Sequence, residues 1–127
     1  MMSRALLLPT LFLITTFLSL SATAGQTYKL RLYFGLSVPS GGAVSLQQWQ
    51  TFRDEQLAMT FDGFNVVDSV GFYKGKPERS KIVTLIVDET DIPKAKQLAQ
   101  DYASQFHQES VMLVKLPVLE WEFVRAQ

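Results

Sequence analysis

Five side chains spread over three parts of the chain could act together on a small ligand: Arg31 and Tyr33, Arg79 and Lys81, and Glu109. They would serve as the polar groups of a small-molecule pocket. Other chemistry is mostly excluded by residue type. No cysteine occurs, which removes thiolate nucleophiles, thiolate metal sites and redox exchange. His107 is the single histidine, and a metal centre would need further ligands; neither a metal nor a cofactor is expected. Its place at the end of a helical pattern suits an imidazole facing the helix dipole. Gly35-Leu36-Ser37-Val38-Pro39 resembles a nucleophile elbow only superficially, because Pro39 stands where the last glycine belongs and a long strand precedes it. Pro39-Ser40-Gly41-Gly42 leads into a helix start, where N–H groups could face an anion, but no P-loop lysine follows. A plain loop is expected.

The element that must position these groups is the run from Tyr28 to Val38. Its even positions are Tyr, Leu, Leu, Phe, Leu and Val, and its odd ones are Lys29, Arg31, Tyr33, Gly35 and Ser37. That period of two predicts a strand with one face on a core. Val44-Ser45-x-x-Gln48 then predicts a capped helix, with Leu46, Trp49, Phe52, Leu57 and Met59 on its apolar side. Phe64 to Tyr73 reads as a second strand in which Asp68 interrupts an apolar face. Asp68 therefore implies either a bulge or a partnered carboxylate. After the turn Lys74-Gly75-Lys76-Pro77, the run Arg79 to Asp88 is apolar on both sides and belongs in the middle of a sheet.

A second helix is expected from about Thr90 to His107, with Pro93 in its first turn. Val111 to Leu116 is the last strand, apolar on both sides and broken by Pro117. Leu119, Trp121 and Phe123 alternate with Glu120 and Glu122, which predicts a short tail strand or an extended tail. The order β-α-β-β-α-β implies an α+β, ferredoxin-like sandwich: a four-stranded antiparallel sheet with both helices on one face. In that topology Glu109 enters the last strand beside the first, within reach of Arg31 or Lys29. Glu78-Arg79-Ser80-Lys81 starts a strand and reads first as a solvated turn rim; the alternative is a polar cluster with Lys29 and Arg31 on the open face.

The N-terminus has a different task. A basic start through Arg4, an apolar run from Ala5 to Leu20 and Ala22-x-Ala24 form the pattern of a signal peptide. Residues 1–24 are therefore expected to be removed, leaving a single domain over 25–127 with an extension over 117–127. The expected location is the periplasm or outside the cell. With Arg4 gone, basic residues number one fewer than the 12 acidic ones, so the formal charge is −1. Such a charge argues against nucleic acid and against electrostatic attachment to a membrane.

Laid out this way, the chain resembles the family of domain of unknown function 3574, small and mostly exported bacterial proteins. The resemblance rests on Tyr33-Phe34-Gly35, Val44-Ser45 with Trp49 and Phe52, Asp54-Glu55, Phe61 and Gly63. It continues through Val67-Asp68 with Gly71, Glu78-Arg79-Ser80-Lys81, Tyr102, Phe106 and Gln108-Glu109-Ser110-Val111, and ends before the tail. It implies the domain and its export, and no mechanism. The open face, with Tyr33, Val67, Ile82, Thr84 and Ile86, calls for a partner, a second copy of the chain or the chain's own tail through Leu119, Trp121 and Phe123. The first functional expectation is accordingly a non-enzymatic binding or assembly module, with homodimerisation through that face. The alternative is a small-molecule sensor or enzyme with its polar site near Arg31, Tyr33 and Glu109.

Overall fold

The computed structural model describes residues 25–127, together with Ala5 and Ile14. The expected signal peptide lies outside the described residues. Strand β1 (Thr27–Gly35) is followed by helix α1 (46–60), then the hairpin β2 (Asn65–Tyr73) and β3 (Lys76–Asp88), helix α2 (Ile92–Gln105) and β4 (Met112–Val118). The sheet order is β2-β3-β1-β4, antiparallel throughout. This is the ferredoxin-like arrangement, with β1 and β3 central as their patterns require.

Register explains which residues reach the core. Leu30, Leu32 and Phe34 lie opposite Leu85, Val83 and Lys81, so the even positions of β1 share the helix side with the odd positions of β3. Leu30, Leu32, Phe34, Val83, Leu85 and Val87 are buried against Trp49, Phe52, Leu57, Leu98 and Tyr102 from the helices. Phe34 stands at the centre of an aromatic cluster, with ring centroids 4.8 Å from Tyr102, 5.4 Å from Phe52 and 5.5 Å from Trp49. Such tilted and edge contacts each add about 0.5–1.5 kcal/mol beyond area burial.

Helix α1 starts at the expected cap. Ser45 N donates to Gln48 Oε1 (2.9 Å) and Gln48 N donates to Ser45 Oγ (3.1 Å), while Val44 is buried beneath. The helix is α-helical over Leu46–Phe52, π-helical over Arg53–Leu57 and closes over Ala58–Thr60. The wider turn has a purpose that a regular wheel misses. In a uniform α-helix Leu57 would point about 140° away from Phe52. The extra residue accommodated by the π turn returns Leu57 to the buried side, and Ala58 N–H donates to Arg53 O across it. Leu46 and Met59, expected on the apolar side, are exposed. The regular wheel does not hold once the turn widens, and both sit at the ends of the helix.

Other boundaries shift for local reasons. β1 ends at Gly35 rather than Val38, because Leu36 leaves the ladder and Ser37 makes an isolated bridge with Ala43. Asp68 sits opposite Lys81 in a continuous ladder and pairs with its ammonium, so the partnered carboxylate replaces the bulge. Lys74 and Gly75 both have positive φ, 50° and 76°, the two-residue turn suited to the twist of a hairpin. Pro117 lies inside β4 rather than ending it, since an edge strand tolerates a missing N–H. The tail beyond Val118 bends at Leu119 and forms no strand of the sheet.

Candidate functional site

Because β1 runs antiparallel to both β3 and β4, its C-terminal end and their N-terminal ends meet at one edge of the sandwich. Three polar runs converge there: Gly35-Leu36-Ser37, Glu78-Arg79 and Gln108-Glu109-Ser110. All of these residues except Leu36, together with Pro39, line a cleft of about 350 Å³. A second cleft, of about 380 Å³, opens on the other side of Ser37 and Arg79 and reaches Ser45, Trp49, Asp68 and Lys81. Ser37 and Arg79 are common to both.

The wall between the clefts is held by hydrogen bonds. Leu36 N donates to Arg79 O (3.0 Å), and Leu36 O accepts from Val44 N (2.7 Å). Gln108 Nε2 donates to Ser37 O (2.9 Å) and to Phe106 O (3.2 Å), tying the exit of β1 to the α2–β4 connection. Gln108 lies so close over Gly35 that a Cβ there would meet its Oε1 at 2.9 Å, which accounts for the glycine. From below, the Tyr102 hydroxyl donates to Gly35 O at 2.6 Å. Burial pushes the Tyr102 phenol well above the usual tyrosine range, so it remains the neutral donor. The aromatic core thus supports the cleft directly.

Charge is concentrated at this edge. The first cleft presents one guanidinium, Arg79, and two carboxylates, Glu78 and Glu109. In the second, the hydrogen bond and charge of Lys81 hold the Asp68 carboxyl below the ordinary aspartate range, with Arg79 adding to the effect. Lys81 is mostly covered while Asp68 is largely exposed. Among the described residues no group of three or more histidine and acidic side chains could hold a metal ion. His107 follows α2 with a φ of 53° and lines neither cleft, so Ser37 has no imidazole beside it there.

The five residues singled out from sequence are therefore divided. Arg79 and Glu109 come together in the first cleft, and Arg79 and Lys81 in the second. Arg31 and Tyr33 do not join them. Arg31 lies opposite Thr84 and Val114, and Tyr33 opposite Ile82 and Met112, on the open face. Lys81 is opposite Phe34 and belongs to the helix side, so the expected single cluster with Lys29 and Arg31 is split by side-chain alternation. Glu109 lies before the start of β4 and lines the first cleft with Gly35, and among the described residues it makes no ion pair with Arg31 or Lys29. Ser37, Gln108 and Ser110 enter the site without having been named for it. Their signal was the clustering of polar side chains at the entries and exits of the strands.

The profile of the family described as "Protein of unknown function (DUF3574)" matches residues 29–121. The chain belongs to this family. No match was found among curated protein sequences. Among solved structures, a phage SAM lyase in complex with S-methyl-5′-thioadenosine matches with a TM-score of 0.54 and 18% identity, covering 77% of this chain and 95% of that one. The same kind of enzyme in its apo state matches with a TM-score of 0.50 and 16% identity, covering 79% and 96%. These similarities establish a shared fold. They also correct the expectation of a non-enzymatic binding or assembly module, since the sandwich is one on which an enzyme is built. The physical reason lies at the strand ends, where the sandwich leaves ligand-sized clefts that the exposed sheet face had overshadowed.

Proposed function

We propose that this DUF3574 protein is a small-molecule enzyme whose cleft at the end of β1 takes a zwitterion of the S-adenosylmethionine class. One observation carries the reading: Arg79, Glu78 and Glu109 line a single cleft of about 350 Å³, within the size range of small-ligand sites. Arg79 supplies a planar fork of donors for a carboxylate. Glu78 and Glu109 supply negative charge for an ammonium or sulfonium centre. Ser37, Ser110 and Gln108 add neutral hydrogen-bonding groups. The fold shared with phage SAM lyase supports the same class of ligand.

The proposed reaction is elimination without a covalent enzyme intermediate. The carbon–sulfur bond breaks with its electron pair passing to sulfur, which leaves as a neutral thioether. The electrons of a neighbouring C–H bond form the new double bond, and the proton goes to a carboxylate of the cleft. Titration calorimetry with S-adenosylmethionine and with the uncharged S-methyl-5′-thioadenosine tests the site. Arg79→Ala should weaken the first by at least about tenfold, or about 1.4 kcal/mol, and leave the second unchanged. Equal binding of S-adenosylmethionine to wild type and Arg79→Ala would refute the assignment. Chromatographic detection of released thioether tests turnover, and tight binding without it would make the protein a sensor at the same cleft.

The basic start, apolar run and Ala22-x-Ala24 of the N-terminus support action outside the cytoplasm. The protein recovered from periplasm or medium should begin at Gly25. A retained Met1 in the membrane fraction would contradict this.

A further inference from the structure

We propose that the tail after β4 is an exchange arm: it seats on the open sheet face of a second copy of this chain, and the second copy's arm seats on the first. The face comes from the register. Val67, Ile82, Tyr33 and Met112 form one apolar row across all four strands, with Ile86 and Leu116 beyond it. Val67, Ile86, Met112 and Leu116 remain exposed, so the chain's own arm does not lie on them.

The arm has the matching character. Leu119, Trp121, Phe123 and Val124 are 100%, 53%, 83% and 85% exposed, and Trp121 and Phe123 pack edge-on at 5.5 Å. Their contact, two residues apart, places both rings on one side of an extended segment, with Glu120 and Glu122 on the other. Charge agrees as well. Lys29 and Arg31 stand on the open face and make no ion pair among the described residues, and neither do Glu120 and Glu122. Lysine and arginine stems are long enough to lie alongside a seated arm and bring their charges to its outer side.

The areas are sufficient. Aromatic side chains bury about 150–250 Å² each, so Trp121 and Phe123 as exposed here offer on the order of 250 Å², and Leu119 on the same side raises this to about 400 Å². Two reciprocal arms, with both surfaces counted, bury about 1,600 Å², against about 1,200–2,000 Å² in a stable interface. Reach suffices too: Leu119 to Gln127 extended spans about 30 Å, against about 15 Å across a four-stranded sheet.

Sedimentation equilibrium on protein carrying the whole 25–127 fold tests the exchange. Wild type should be a dimer at micromolar concentration. Trp121→Ser with Phe123→Ser should give folded monomers, since neither residue belongs to the core. Glu120→Lys with Glu122→Lys should raise the dissociation constant by at least about tenfold at low salt, and so should Lys29→Glu with Arg31→Glu. Combining the two reversals should restore association. Wild type that remains monomeric at 100 µM overturns the proposal, whether the arm then hangs loose or folds onto its own sheet. A dimer indifferent to the arm substitutions overturns it equally, because its interface must then lie elsewhere.

Discussion

Tyr102→Phe tests the link between the aromatic core and the cleft with the smallest available change. The ring stays in place, with centroids 4.8 Å from Phe34, 5.0 Å from Phe52 and 4.8 Å from Phe106, and only the hydroxyl is lost. That hydroxyl makes a 2.6 Å bond to Gly35 O where β1 leaves the sheet. Removing one partner of a covered hydrogen bond costs about 1–3 kcal/mol. For a domain of this size that is a fall in melting temperature of about 4–8 °C per kcal/mol. Tyr102→Ala also empties the ring's place and should cost about 3–5 kcal/mol. Urea melts at pH 7 should separate the two variants, and the difference measures the ring alone. The buried phenol adds a pH test. Its folded-state affinity for the proton is raised above that of the unfolded chain, so stability should fall as pH rises above about 10. In Tyr102→Phe that alkaline fall should flatten, leaving the part due to Tyr28, whose hydroxyl is raised by its bond to Glu89. A Tyr102→Phe protein as stable as wild type, with an unchanged alkaline slope, would mean that the hydroxyl does not hold Gly35 in place.

At the start of α1, Ser45→Ala should cost about 1 kcal/mol through the lost cap. Trp49→Ala, from the same helix, should cost about 3–5 kcal/mol because the indole is fully buried; urea melts showing the reverse order would mean that the cap and not the core holds the helix. Asp88 accepts from Thr90 Oγ1 (2.6 Å) and Thr90 N (2.8 Å), which lowers its proton affinity in the folded state. Its contribution, like that of Asp68, is present above the ordinary aspartate range and lost as pH falls below about 4. Thermal melts of Asp88→Asn should therefore show a weaker loss of stability on acidification than wild type, and an identical acid profile would rule this out.

What could be read from the chain by itself follows from local chemistry. Alternation at Tyr28–Phe34 and two-sided apolarity at Val83–Val87 set two central strands, because a strand buried on one side or on both leaves that mark in residue types alone. Ser45 and Gln48 announced a helix start, since a capping box closes within four residues. Strand order, antiparallel pairing and the family followed from these elements. Tertiary structure decided the rest. The π turn at Arg53–Leu57 has no local signature; it exists because Leu57 must reach a core whose position other elements determine. Arg31 and Arg79 look interchangeable as cations in the sequence, yet register turns one to the open face and brings the other into the clefts. The site itself joins Gly35, Arg79 and Gln108, residues far apart in the chain. Periodicity reports which side of its own element a residue occupies. Which element's end meets which is settled only when the strands pair.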